Sequence, residues 1–115
     1  MWYVYMVRCA DGSHYTGSTP EPARRMQAHL SQSSAAAKYT RSHRVVALDA
    51  LWQTDGRVDA LRLEALIKQL PKAKKLALIE RPDSLDALFG DKLKGSRYAP
   101  VPGATLEQPV PGKSE

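Results

Sequence analysis

Met1-Trp2-Tyr3-Val4-Tyr5-Met6-Val7-Arg8-Cys9-Ala10-Asp11-Gly12-Ser13-His14-Tyr15-Thr16-Gly17 is the stretch from which the fold is read. Trp2 to Cys9 is dense in aromatic and branched side chains, which fit a pleated and mostly buried surface. Asp11-Gly12 signals a reversal, because glycine accepts the positive φ that a hairpin loop needs, and Ser13 to Gly17 then resumes an extended run. Loop length decides where the two phenols point, since a one-residue slip in register turns every side chain to the other face. A two-residue Asp11-Gly12 loop would pair Arg8 with Tyr15 and put Tyr5 and Tyr15 on opposite faces. A three-residue Ala10-Asp11-Gly12 loop, with Gly12 left-handed as a bulge, pairs Val7 with Tyr15 and gives both phenols one face. The second arrangement is predicted.

Downstream, Ser18-Thr19-Pro20-Glu21-Pro22 has the chemistry of a helix opening: a hydroxyl cap, prolines where missing donors do no harm, and an acid at the positive dipole end. The helix is expected from about Pro20 to about Leu30, with Ala23, Met26 and Leu30 inward and Arg24 toward solvent. Arg25 and His29, four apart, lie one above the other on the neighbouring flank. Residues 31–44 are polar and basic without periodicity and read as a long surface loop, a kind of segment that often carries function. Val45 to Gln53 reads as a third strand whose poor alternation implies cover on both faces. Arg57 to Gln69 forms the clearest helix, its Ala60, Leu63, Leu66, Ile67 and Leu70 falling in one apolar sector and Glu64 at the border, half-buried. Short helices are expected from Pro71 to Ile79 and from Asp83 to Phe89. From Lys94 onward prolines and glycines crowd in and Leu106 and Val110 stand isolated, so residues 94–115 read as a mobile, coreless tail to a domain spanning 1–93.

A chain of 115 residues suits one core and is too short for two. Its 17 Lys and Arg against 12 Asp and Glu give a net charge of +5, which points to an anionic partner, nucleic acid before membrane. The single cysteine, Cys9, has no intrachain partner and fits a reducing cytoplasm. No run is apolar enough to span a membrane, and no secretion signal is evident. The expected class is therefore α/β: a small three-stranded mixed sheet, containing an antiparallel hairpin and flanked by helices.

If two helices pack on such a sheet, Tyr5, Tyr15, Arg25, His29 and Glu64 converge as a toolkit for phosphodiester hydrolysis. That chemistry needs a cation for the nonbridging oxygens, a base for the attacking water, and usually a divalent metal for the leaving oxygen. Arg25, a tyrosine or His29, and a metal on Glu64 fill those roles. A lone carboxylate suits Mg²⁺ or Mn²⁺, which keep several waters. Each residue also has an ordinary explanation. Strand tyrosines pack, Glu21 with Arg25 and Glu64 with Lys68 are helix-spaced ion pairs, and a histidine late in a helix offsets the dipole.

The combination is more specific. Tyr3-Val4-Tyr5 and Tyr15-Thr16-Gly17, followed by Ala23 to His29, Ala37-Lys38-Tyr39-Thr40 and Ala60 to Lys68, resemble the GIY-YIG nuclease family over roughly residues 2 to 80, in order. The resemblance implies the GIY-YIG endonuclease fold. It places Tyr5 near the attacking water or scissile phosphate, makes Tyr15 a candidate general base and Arg25 the phosphate-holding arginine, gives His29 a position that is tyrosine or histidine among members, and makes Glu64 the metal-binding glutamate. His29 is expected to titrate near neutrality and so to serve as a proton acceptor. Lys38, Thr40, Arg41 and Lys68 are expected to contact nucleic acid. Tyr3 stands where glycine opens the first triplet, Thr16 departs in the second, and Ser18 stands where some members carry a lysine, which shifts the choice of base modestly toward His29. The implied activity is a divalent-metal-dependent endonuclease on DNA, single-stranded or branched, with one-step attack by water and a 5′-phosphate product. With no base-reading module in sight, selectivity comes from strand geometry or a protein partner. The rival reading is a nucleic-acid-binding module with weak or partner-dependent cleavage.

Overall fold

The computed structural model describes residues 1–31 and 42–110. The elements run β1 (Trp2–Cys9), β2 (His14–Thr19), α1 (Pro22–Ser31), β3 (Val45–Thr54), α2 (Arg57–Lys68), α3 (Lys72–Glu80), α4 (Leu85–Phe89), a 3₁₀ turn at Gly90–Leu93, and β4 (Tyr98–Pro100). The α/β class and the helix-flanked sheet are as the sequence implies. Among the described residues, however, the sheet has four strands in the order β2-β1-β3-β4, and every pairing is antiparallel, so it is neither three-stranded nor mixed.

The hairpin adopts the predicted register: Val7 lies opposite Tyr15, Arg8 opposite His14 and Tyr5 opposite Gly17. The loop closes through Cys9 N–H to Ser13 O at 2.8 Å and Gly12 N–H to Cys9 O at 2.9 Å. Gly12 has φ +86°, the left-handed conformation that a three-residue loop demands and glycine accepts without strain. Tyr5 and Tyr15 consequently share a face.

Alternation along the strands sorts the interior into two layers. On one side Val4, Met6, Ala50 and Trp52 pack against Ala60, Leu63 and Ile67 of α2, together with Leu78, Leu85, Phe89 and Leu93. On the other, Tyr5, Val7, Cys9, Val45, Leu48 and Leu51 pack against Met26 of α1 and Leu106. The apolar stripe of α2 thus faces the sheet as its 3.6-residue period requires.

Two expectations are corrected here. Ala23 and Leu30 of α1 are exposed, while Pro22, Met26, Ala28 and His29 are the buried residues of that helix. The helix is rotated from its expected phase because its inner stripe is shared by an apolar residue and a histidine, which hydropathy does not count as inward. Residues 94–110 are also not coreless. Tyr98–Pro100 pairs with β3, and Val101 N–H donates to Leu51 O at 2.8 Å. Tyr98 OH donates to Asp59 O at 2.9 Å, and Ser96 Oγ donates to Asp59 Oδ1 at 2.6 Å. Leu106 buries itself against the Tyr5 layer. A short edge strand tolerates proline, so the composition that reads as a tail is equally that of a strand end. Residues 111–115 lie outside the described part.

Candidate active site

The site straddles β2, one of the two edge strands among the described residues, and draws on elements from both faces of the sheet. Tyr5 projects from β1 toward α1, where Arg25 and His29, one helical turn apart, both reach its hydroxyl. Arg25 Nε donates to Tyr5 Oη at 3.2 Å, and His29 Nε2 lies 3.1 Å from the same oxygen. Arginine can only donate, so Tyr5 accepts from it and has its own proton to offer to the imidazole. Tyr5 and His29 are fully buried. Burial pushes the Tyr5 phenol up to about 12, with Arg25 opposing the rise. Burial, with the Arg25 charge beside it, holds His29 down at about 4. The near-neutral titration expected of His29 is therefore corrected: the ring is neutral at pH 7, and it faces a phenol in place of water.

Gly17 explains how these rings fit. A Cβ there would sit 2.6 Å from Tyr5 Cζ and 3.1 Å from Tyr15 Cε2, so only glycine lets β2 pass under the Tyr5 ring. The Tyr5 and Tyr15 ring centroids are 6.3 Å apart, those of Tyr5 and His29 5.4 Å, and those of Tyr15 and His29 6.2 Å. Tyr15 is partly exposed and forms the outer wall of this aromatic triangle.

Glu64 approaches from α2. Ser18, opposite Val4 and hence on the α2 face of the sheet, donates Oγ to Glu64 Oε1 at 2.6 Å. Lys68 Nζ lies 2.8 Å from Glu64 Oε2 and also 5.4 Å from the Tyr15 ring centroid, reaching across the β2 edge. The Glu64 hydrogen bond raises the Lys68 pKa. The Glu64 side chain keeps 17% of its exposure, and its charge acts on both Tyr5 and Arg25. Glu64 is thus half-buried at the seam, as its place on the helix border predicts.

Tyr5, Tyr15, Arg25, His29, Glu64 and Lys68 are therefore brought together, with Tyr5 and His29 beneath the surface and the other four bordering solvent. Lys38, Thr40 and Arg41 lie outside the described residues. Two members escaped the sequence reading. Gly17 could have been found by asking what sits opposite Tyr5 in the predicted register; Ser18, by noting that it shares a face with α2.

A model of the GIY-YIG catalytic domain matches residues 1–77. The chain belongs to the GIY-YIG family. Members of that family are endonucleases that act on nucleic acids. This GIY-YIG chain is 45% identical over 83 residues to the UPF0213 protein FN1575 of Fusobacterium nucleatum, covering 72% of this chain and 81% of that one. It is 44% identical over 79 residues to the UPF0213 protein DP2720 of Desulfotalea psychrophila, covering 69% and 71%. The solution structure of the UPF0213 protein BH0048 from Bacillus halodurans is 39% identical, with a TM-score of 0.44 over 70% of this chain and 84% of that one.

GIY-YIG nucleases generally use divalent metals. The donor set here fits a hard ion of that kind. Among the described residues no cluster of three or more histidine, cysteine or acidic side chains suited to holding a metal ion is found. Glu64 is a single carboxylate whose two oxygens have about four lone-pair positions, of which Ser18 and Lys68 engage two. A cation that keeps most of its waters needs no more. Among the described residues, no helix is long and apolar enough to cross a membrane.

Proposed function

We propose that the protein is a divalent-metal-dependent endonuclease that hydrolyses phosphodiester bonds in DNA and selects substrates by strand form, not base sequence. The observation that carries this reading is the convergence of Arg25 and His29 on Tyr5, with Glu64 in electrostatic reach on the other side of the β2 edge. Arg25 binds a nonbridging phosphate oxygen, its guanidinium plane fixed by the bond to Tyr5. Tyr15, on the solvent side of the rings, takes the proton of the attacking water. His29 is a positioning residue: neutral and enclosed, it accepts from Tyr5 and keeps that hydroxyl aimed. Glu64 holds Mg²⁺ or Mn²⁺, oriented by Ser18; the bound ion supplies Lewis-acid stabilisation of the developing charge. Lys68, with Lys38, Thr40 and Arg41, contacts the DNA backbone. The protein works without a membrane, in the cytoplasm, with strand selection set by DNA geometry or a partner protein.

The test uses labelled single-stranded, duplex and branched DNA with Mg²⁺ or Mn²⁺, comparing the native chain with Glu64→Ala and Tyr15→Phe. Native cleavage to 5′-phosphate ends, lost in Glu64→Ala, is expected. Equal cleavage by Glu64→Ala removes the metal role. The Lys68–Glu64 ion pair favours a second reading, a DNA-binding module whose carboxylate is engaged by lysine. That reading predicts salt-sensitive DNA binding with no cleavage of any of the three substrates.

A further inference from the structure

Lys68 stands where a divalent ion held by Glu64 and a side-chain cation would compete. Its Nζ is 2.8 Å from Glu64 Oε2, the oxygen that Ser18 does not hold, while Ser18 Oγ fixes Oε1 at 2.6 Å. The pair is spaced i, i+4 on α2, so the helix itself keeps the ammonium within reach of the carboxylate. Most ion pairs of this spacing lie on open helix faces. Here the carboxylate is 17% exposed and the lysine 47%, so the acid is walled in and the cation is the movable partner. A second resting place is already built: the same Nζ lies 5.4 Å over the Tyr15 ring, where a cation is attracted by the π face.

We propose that Lys68 is a tethered cation that neutralises Glu64 while no divalent ion is present and yields Oε2 when one binds, staying above the Tyr15 ring. This rests on the assignment of Glu64 as the metal-holding residue. It reconciles the ion pair with catalysis, since the lysine prevents a half-buried carboxylate from standing uncompensated in the metal-free protein. It also makes loading a net exchange of one charge for two at the same oxygen, so the ammonium weakens metal binding by direct competition.

The experiment measures Mn²⁺ binding to the full chain without DNA, by electron paramagnetic resonance of the free ion, for the native protein, Lys68→Met, Lys68→Arg and Glu64→Gln. Lys68→Met is expected to bind about threefold to tenfold tighter than native, the range for losing one partly exposed pair and the repulsion it exerts on the incoming ion. Lys68→Arg should stay near native, and Glu64→Gln should lose the site. In parallel, the ¹⁵Nζ resonance of Lys68 is followed during Mg²⁺ titration of the native protein, and a shift that saturates with the ion is expected. Equal or weaker Mn²⁺ binding by Lys68→Met, or an unmoved Lys68 resonance at saturating Mg²⁺, overturns the exchange while leaving metal at Glu64 intact. Binding by Glu64→Gln equal to native, or by none of the four proteins, overturns the Glu64 assignment and the exchange with it.

Discussion

The two faces of the sheet are packed by opposite means. Against α2 the interior is mostly apolar: Val4, Met6, Trp52, Leu63 and Ile67 are all fully buried, and the polar members of the candidate site sit at its border. Against α1 the interior also holds polar side chains, with His29 and Tyr5 fully buried beside Met26. The first face obtains stability from area removed from water; the second accepts buried polar groups and satisfies them on one another. The apolar packing and the buried polar cluster are thus divided between opposite sides of a single sheet, with Glu64 at the border between them, and substitutions in the core and in the proposed site should separate stability from cleavage.

The widest separation is expected from Glu64→Gln against Leu63→Ala, adjacent residues on α2. Glu64→Gln should lower cleavage by about a thousandfold, the scale for removing an electrostatic group acting on the transition state. Its melting temperature should stay within a few degrees of native, because the residue lies at the seam. Leu63→Ala should cost about 3 kcal/mol in urea unfolding while its remaining folded fraction cleaves at close to the native rate. If both substitutions moved both properties together, the division of labour would be wrong.

Gly17→Ala tests the opposite face. The added methyl meets the Tyr5 ring and Tyr15, whose positions are set by Arg25, His29 and the strand, so the neighbours must shift. A loss of about 2 kcal/mol is expected, accompanied by a cleavage defect that no equally destabilising change on the α2 face produces. Similar cleavage by Gly17→Ala and a matched α2-face variant would show that ring placement is not limiting.

His29 makes the same face sensitive to acid. Its folded-state pKa of about 4 lies below the 6.5 of the unfolded chain, so between these values the unfolded state binds more protons. The corresponding stability is complete above pH 6.5 and is lost as pH falls toward 4, by about 3 kcal/mol. Urea unfolding across that window, compared with His29→Gln, should show the native protein weakening more steeply. Parallel curves would mean that the imidazole titrates alike in both states.

The same contrast governs how much could be read from the residues alone. The α2 face was legible because leucine and isoleucine at helical spacing mean burial and little else. The hairpin register was legible because Asp11-Gly12 admits few loops. On α1, periodicity chose Ala23 and Leu30 over His29, since a buried histidine becomes favourable only once Tyr5 and Arg25 surround it, and that is a tertiary fact. Leu106 failed for a related reason: isolated in sequence, it acquires neighbours only when β4 has paired and returned the chain to the Tyr5 layer. The five candidate site residues could be named together because the family pattern fixes their order, whereas Ser18 and Gly17 required the register.

The smallest expected effect comes from a buried threonine within the apolar face. Thr54 pairs with Trp2 across β1 and β3 and is 2% exposed, and its Oγ1 has no hydrogen-bond partner among the described residues. A hydroxyl taken out of water without a partner costs more than a methyl group of the same shape. Thr54→Val should therefore raise unfolding stability by about 1 kcal/mol and leave cleavage unchanged, the reverse of what a polar-to-apolar change would do among Tyr5, Arg25 and His29. Tyr5→Phe supplies that counterpart: it removes one hydroxyl that two side chains share, and should destabilise by about 1–2 kcal/mol. Opposite signs for these two deletions of a single oxygen would place the boundary between the two kinds of packing within the sheet itself; a destabilised Thr54→Val would mean that the Thr54 hydroxyl, like the Trp52 indole N–H that donates to Pro82 O at 2.8 Å, contributes a favourable polar contact to the α2 face.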